Sequence, residues 1–297
     1  MTKNKIVAVL TALAVTFLWS TSFILIKKGL EDIPPLTFAG LRYLLASAAL
    51  APLVCGKKRR MEFRSLSRRR WLSLALLGVL FYALTQGIQF IGLSLISPVT
   101  VSLMLNFTPL AVLLMGLPLP GERPGLLQAA GILVFLAGVL LYFLPLESLA
   151  GEKIGMAVMA LGVLANAGSS ILGRRVNRDR DISPVMVTFV SMTVGALILT
   201  ALGLLIEGLP RMGARSVLYL LWLAVINTAL AFTLWNYSLR TLTAVESSII
   251  NGTMLIQIAV LSVIFLDVAL SGRKAAALAV AALGAVLVQM KARKRSP

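Results

Sequence analysis

Long apolar runs separated by short polar or basic connections make up most of this chain. A hydrocarbon core of about 30 Å is crossed by about 20 helical residues. Runs of that size fall at 6–26, 36–54, 71–93, 99–117, 125–144, 154–172, 185–206, 217–239, 247–266 and 275–290, and the pattern predicts ten membrane-spanning helices. Connections such as "SLIS" (94–97) and "RTLT" (240–243) leave room only for antiparallel neighbours. The first run, preceded by Lys3 and Lys5, imitates a signal peptide. It reaches Ile26, however, beyond the length of an h-region, and nine further runs follow, so it reads as the first span.

Composition supports this pattern. Of 297 residues, 59% are hydrophobic and only 13% charged, with mean hydropathy +0.93. A soluble domain carries about 25% charged residues, so this chain lacks the polar surface to face water. The fold class expected is an all-α integral membrane protein. A net charge of +17 would point to nucleic acid in a soluble protein. Here no soluble module exists to carry such binding, and the cations concentrate in connections, where they set topology. With the N-terminus inside, the inner segments hold 20 Lys and Arg residues and the outer ones seven, with Arg42 inside the second span. Both termini are therefore expected in the cytoplasm and the protein in the cell membrane. The longest connection, "CGKKRRMEFRSLSRRR" (55–70), is expected to be solvated at the cytoplasmic face, within reach of anionic headgroups.

The chain has one cysteine, Cys55, and no histidine. That rules out an intrachain disulfide, a cysteine-based metal cluster and histidine proton relays. No P-loop occurs, so no metal, cofactor or nucleotide is expected. An intramembrane enzyme would need a nucleophile–base pair or a metal centre, and the residue set disfavours one. A receptor or assembly factor is disfavoured by the lack of any sizeable exposed domain.

The two halves of the sequence resemble each other. "EDIPPLTF" (31–38) and "RDISPVMV" (180–187) align at an offset of 149, matching Asp32 with Asp181, Ile33 with Ile182 and Pro35 with Pro184; Ser20 matches Ser169 at the same offset. Further on, the offset becomes 146 and pairs Leu93 with Leu239, Val99 with Val245, Ser102 with Ser248 and Gly138 with Gly284. Five spans per half is an odd number, so the halves are expected to be inverted relative to each other. Many transporters are built this way, with the substrate site near the midplane.

On these residues the chain resembles EamA-type members of the drug/metabolite transporter superfamily. The stretches concerned are "FLWSTSFILIKKGLEDIPPLTFAGLRYLLAS" (17–47), "SPVTVSLMLNFTPLAVLLMGLPLPGE" (97–122) and "LTAVESSIINGTMLIQIAVLSVIFLD" (242–267). The resemblance extends over residues 6–290. It implies ten helices in two inverted five-helix repeats, 1–148 and 149–297, around a central cavity lined by spans one, three, four, six, eight and nine. It also implies carriage of amino acids and other small metabolites or drugs, often outward from the cytoplasm. The family's acidic residue after span four corresponds to Glu122, and the one after span nine to Asp267, a shorter side chain. Arg42 corresponds to the arginine of its second-span motif.

Candidate site residues follow from polar positions inside spans. Tyr82, Gln86 and Gln89 share one helix face at i, i+4, i+7. Asn227, Trp235 and Asn236 make a looser stripe on span eight. Asn166 and Ser170 are four apart on span six, and Trp19 and Ser22 three apart on span one. In span nine, Asn251, Met254 and Gln257 recur every third residue. Each amide either bonds across helices as packing glue or faces a cavity. Trp19, Tyr82, Phe107 and Trp235 are positioned either to stack on a ligand or to pack. Asn106 with Pro109 marks either a break or a kink in span four. Arg42 lies about 9 Å from the outer end of span two. Its alternatives are snorkelling to the interface, pairing with helix-end carbonyls, or attracting an anionic substrate group.

Energy is expected from the solute gradient or a coupled ion, and a facilitator or an exporter with weak proton coupling fits best, since no carboxylate sits at mid-depth. Glu246 is the candidate proton carrier. It also completes a Thr-x-x-Glu capping box with Thr243. Thr243 pairs with Ser97 across the repeat, and Pro98 then occupies the first helical position. Partners expected are a small-molecule substrate and the lipid bilayer, with monomer and dimer both open.

Overall fold

The computed structural model describes residues 3–116, 125–144, 152–178, 182–238, 241–242 and 249–289. Among them all regular structure is helical. In chain order the helices are α1 (Lys3–Gly29), α2 (Pro35–Val54), α3 (Lys57–Arg64), α4 (Arg68–Leu77), α5 (Gly87–Leu95), α6 (Pro98–Leu105), α7 (Thr108–Gly116) and α8 (Leu126–Phe143). They continue as α9 (Lys153–Arg178), α10 (Pro184–Ile206), α11 (Ala214–Ala224), α12 (Ala231–Ser238), α13 (Met254–Leu266) and α14 (Gly272–Gln289). π-Helical turns at Gly78–Gln86 and Val225–Leu230 join α4 to α5 and α11 to α12. Nine spans among the described residues are long and apolar enough to cross a membrane: Asn4–Gly29, Pro35–Val54, Arg68–Leu95, Pro98–Met115, Leu126–Phe143, Lys153–Gly173, Pro184–Ile206, Ala214–Trp235 and Ile249–Leu266. They fall on the first nine apolar runs, and α14 covers the tenth.

Local chemistry sets the helix boundaries. Pro35, Pro98 and Pro184 each open a helix, where a missing N–H costs nothing. Ser97 and Ser183 cap two of these by accepting from the N–H groups of Thr100 and Met186. The expected Ser97–Pro98 start is therefore present, whereas Thr243 and Glu246 lie outside the described residues, as does Glu122. Asp267 closes α13 at φ 51°, a left-handed position that Asp tolerates better than most residues. Asn106 and Phe107 interrupt span four between α6 and α7, so the polar position marks a break.

The described residues form two compact units, and each takes segments from both halves of the sequence. One comprises 1–24, 95–157 and 231–297, the other 25–94 and 158–230. In the first, α8 and α14 run antiparallel in backbone contact. A Cβ on Gly131 would lie 2.6 Å from the Val288 nitrogen, one on Gly138 2.4 Å from Ala281, and one on Gly284 2.2 Å from Phe135. Around this seam Phe135, Tyr142, Leu255, Ala259, Ala277 and Ala281 form a buried core with Val99 and Leu103 of α6.

The second unit is centred on α2 and α10, also antiparallel. A Cβ on Gly40 would meet the Thr200 nitrogen at 2.6 Å, and one on Gly203 the Thr37 nitrogen at 2.6 Å. Ser47 and Thr193 hydroxyls, 2.5 Å apart, continue the same register. Carboxylates hold helix starts at both ends of this pair. Glu207, just past α10, accepts from the N–H groups of Leu36 and Thr37 at 3.1 and 2.8 Å and from the Thr37 hydroxyl at 2.9 Å. Glu62, past α2, accepts from the N–H of Ser183.

Gly284→Ala is expected to destabilise the protein by about 1–3 kcal/mol, the scale for overpacking a close-packed contact. Gly272→Ala, with open space around the added carbon, is expected to be silent. Thermal unfolding of both variants in detergent checks the pair.

Candidate functional site

Arg42 is a buried charge within the unit formed by 25–94 and 158–230. The side chain does not snorkel: it is 5% exposed, and its Nε donates to the Thr228 hydroxyl at 3.1 Å. The guanidinium lies 5.3 Å from the Tyr43 ring centroid and 5.9 Å from that of Phe90, within cation–π range. Among the described residues no carboxylate reaches Arg42 and no carbonyl accepts from it.

Neighbouring residues on α2 engage both π-helical turns. Arg42 bonds Thr228 in the turn of span eight, and the Tyr43 hydroxyl donates to Gln86 Oε1, at the end of the turn of span three, at 2.7 Å. Each turn contains a Thr whose hydroxyl reaches back five residues, Thr85 to the Leu80 carbonyl and Thr228 to that of Leu223, both at 2.8 Å. Widened turns of this kind free backbone groups and recur at functional sites.

Tyr82 is buried edge-on to Tyr43 at 5.4 Å, so Tyr43 joins two members of the predicted Tyr82–Gln86–Gln89 stripe. Gln89 is half-buried one helical turn beyond. Asn227 is fully buried in the π turn of span eight. On α9, Asn166 is half-buried and Ser170 exposed. Tyr43 and Thr228 escaped the sequence reading; the adjacency of a tyrosine to the intramembrane arginine was the available signal for the first.

In the other unit, Trp19 packs between two rings of α12, 5.3 Å from Phe232 and 5.2 Å from Trp235. Phe232 was missed, although it stands three residues before Trp235 and so shares its face. In the same unit, Gln257 ties α13 to α1. Ser20 donates to its Oε1 at 2.8 Å, and its Nε2 donates to Thr253 at 2.9 Å and to Thr16 at 3.4 Å. Met254 is half-buried beside it, whereas Asn251 is exposed. Ser22 is buried, with its hydroxyl on the Leu18 carbonyl. Asn106 donates back to Ser102 at the helix break, and Phe107 packs edge-on against Phe135 at 4.7 Å. The side chain of Asn236 lies outside the described residues.

The described carboxylates mostly sit at helix ends. Besides Glu62 and Glu207, Asp32 accepts from Ser216 at the start of α11, and Glu152 accepts from Thr100 at 3.2 Å. Burial pushes the Glu62 carboxyl up, but the Ser183 N–H and the Arg59 guanidinium outweigh it and hold the group below its ordinary value. No group of three or more His, Cys, Asp or Glu side chains among the described residues could hold a metal ion.

These polar and aromatic side chains lie on helices long and apolar enough to cross a membrane. The model of the EamA-like transporter family matches residues 6–144 and 153–290, and the chain belongs to that family. It is 28% identical over 234 residues to an uncharacterized transporter of Archaeoglobus fulgidus, covering 76% of this chain and 78% of that one. It is 29% identical over 237 residues to a probable amino-acid metabolite efflux pump of Escherichia coli K12, covering 76% and 75%. A solved crystal structure superposes with TM-score 0.68 over 95% of this chain and 96% of that chain at 21% identity, a likeness of fold. The protein is thus a multi-span membrane transporter, not an enzyme.

Gln257 bonds Ser20, Thr16 and Thr253 inside the protein, so its loss acts first on folding. Gln257→Leu is expected to cost about 0.5–2 kcal/mol, the range for hydrogen bonds between membrane helices. The unfolding midpoint in detergent checks it, and an unchanged midpoint contradicts the tie between α1 and α13.

Proposed function

We propose that this protein moves small organic solutes, amino acids and related metabolites or drugs, across the cell membrane as an exporter or facilitator. The two halves, 1–148 and 149–297, act as inverted five-helix repeats that alternate access to a central site. The observation that carries this reading is the family match, once in each half. Paired features support it: helix starts at Pro35 and Pro184, carboxylate caps from Glu207 and Glu62, and π turns with a back-bonded Thr in spans three and eight. The name of the Escherichia coli relative favours outward movement of amino-acid metabolites. The excess of Lys and Arg on one set of connections supports a cytoplasmic position for both termini.

In this mechanism the rings of Trp19, Phe232 and Trp235 offer faces for the apolar part of a solute. Separately, within the unit formed by 25–94 and 158–230, Gln86, Gln89, Asn166 and Asn227 offer amides, and Arg42 offers positive charge for a carboxylate. Proton coupling, where present, falls to Glu246. Its repeat partner is Thr100, so the acid is particular to the second half.

Flux of radiolabelled amino acids and related metabolites into proteoliposomes, with and without a pH gradient, tests the function. Trp235→Ala and Gln86→Ala are each expected to lower flux about tenfold or more, equivalent to about 1.4 kcal/mol or more of lost solute interaction, while expression and insertion stay normal. Wild-type flux in both variants removes those residues from the site. If no solute moves under any gradient, the transport reading fails.

A further inference from the structure

The connection after α2 is not an extended loop: its basic stretch folds as α3, with Gly56 before it and Ser65 after. α2 ends at Val54 and α4 begins at Arg68, so α3 is tethered within a few residues of two membrane-spanning helices. It is also pinned by side chains. Phe63 packs edge-on against Trp71 at 5.0 Å, and Glu62 accepts the Ser183 N–H at the start of α10.

Glu62 is the only acid between residues 55 and 70, facing eight Lys and Arg residues. Its carboxylate is committed to Ser183 and to Arg59, whose Nη1 lies 2.8 Å away. Lys57, Arg60 and Arg64 have no carboxylate partner among the described residues. With Met61 they line one shallow groove, at positions 57, 60, 61 and 64, the spacing of a single helix face. Met61 is 66% exposed there. Met61 is thus an apolar side chain set among three cations on one helix face. Beside a membrane it fits, since the cations can meet phosphate while Met61 meets the glycerol and the start of the acyl chains.

We propose that this groove is a binding site for the phosphodiester headgroup of an anionic glycerophospholipid. Topology selection needs only the number of cations on one side of the membrane. A pinned helix that arranges three of them around an exposed methionine goes further and defines a receptor. Because Glu62 lies on the same helix and caps α10, a bound headgroup steadies the start of α10 and its packing on α2. The site rests on the membrane-embedded fold and is independent of which solute is carried.

Thermal unfolding of the purified full-length protein in neutral detergent tests this, with phosphatidylglycerol, phosphatidylcholine or inorganic phosphate added. Phosphatidylglycerol is expected to raise the midpoint well beyond the other two. In the triple variant Lys57→Gln/Arg60→Gln/Arg64→Gln that rise is expected to be at least halved. Met61→Ser keeps every charge and is expected to weaken the preference for the lipid over inorganic phosphate; it carries the test if the triple variant does not fold. An equal rise in wild type and triple variant overturns the site. An equal rise with phosphatidylcholine overturns the headgroup selectivity, and an equal rise with inorganic phosphate reassigns the groove to free anions and overturns the lipid.

Discussion

In a bilayer, helices gain nothing by hiding apolar side chains from lipid tails, so they associate by close packing and by shared hydrogen bonds. Here that constraint is met where backbones touch. Gly131, Gly138 and Gly284 let α8 and α14 approach until one helix rests on the other's main chain. Gly40 and Gly203 do the same for α2 and α10. Each compact unit is organised around one such seam, and the polar ties described above depend on its register. Ser47 meets Thr193, and Glu207 meets Thr37, only because Gly40 and Gly203 fix how α10 lies along α2.

Once the seams are set, polar groups divide by depth. Acids gather at helix ends, where they complement unsatisfied N–H groups and the positive end of the helix dipole. Among the described charges Arg42 is the exception: it is buried well inside a span, bonded to one hydroxyl and framed by rings. A guanidinium in that setting attracts an anionic group that reaches it. The two π turns held by Arg42 and Tyr43 give α2 a grip on spans three and eight together. Local backbone irregularity in a membrane is tolerated only where protein or a cavity satisfies it.

Much of this was legible from the residue pattern. Apolar run length located the spans because bilayer thickness dictates it, and Ser-Pro pairs located helix starts because cap chemistry is local. Asn106 signalled the break in span four for the same reason. The π turns were not legible: the α-helical period makes Tyr82, Gln86 and Gln89 one regular stripe, whereas the helix is π-helical over Gly78–Gln86, with Thr85 bonded back to the Leu80 carbonyl. Tyr43 and Phe232 were missed because their roles come from partners distant in sequence or on another helix. Nor could the pattern show that each compact unit mixes segments of both halves, since pairing of distant helices is decided by packing. The fate of Arg42 needed coordinates, because snorkelling and burial look identical in sequence.

The central claim, alternating access around a site between two membrane faces, is tested most directly by sided thiol accessibility. On a Cys55→Ser background, a single cysteine at Ser170 of span six is labelled with an impermeant reagent applied from either face of oriented proteoliposomes. The account predicts that a transported solute shifts labelling of this one position from one face to the other. Labelling from a single face, unchanged by any solute the protein carries, would contradict it.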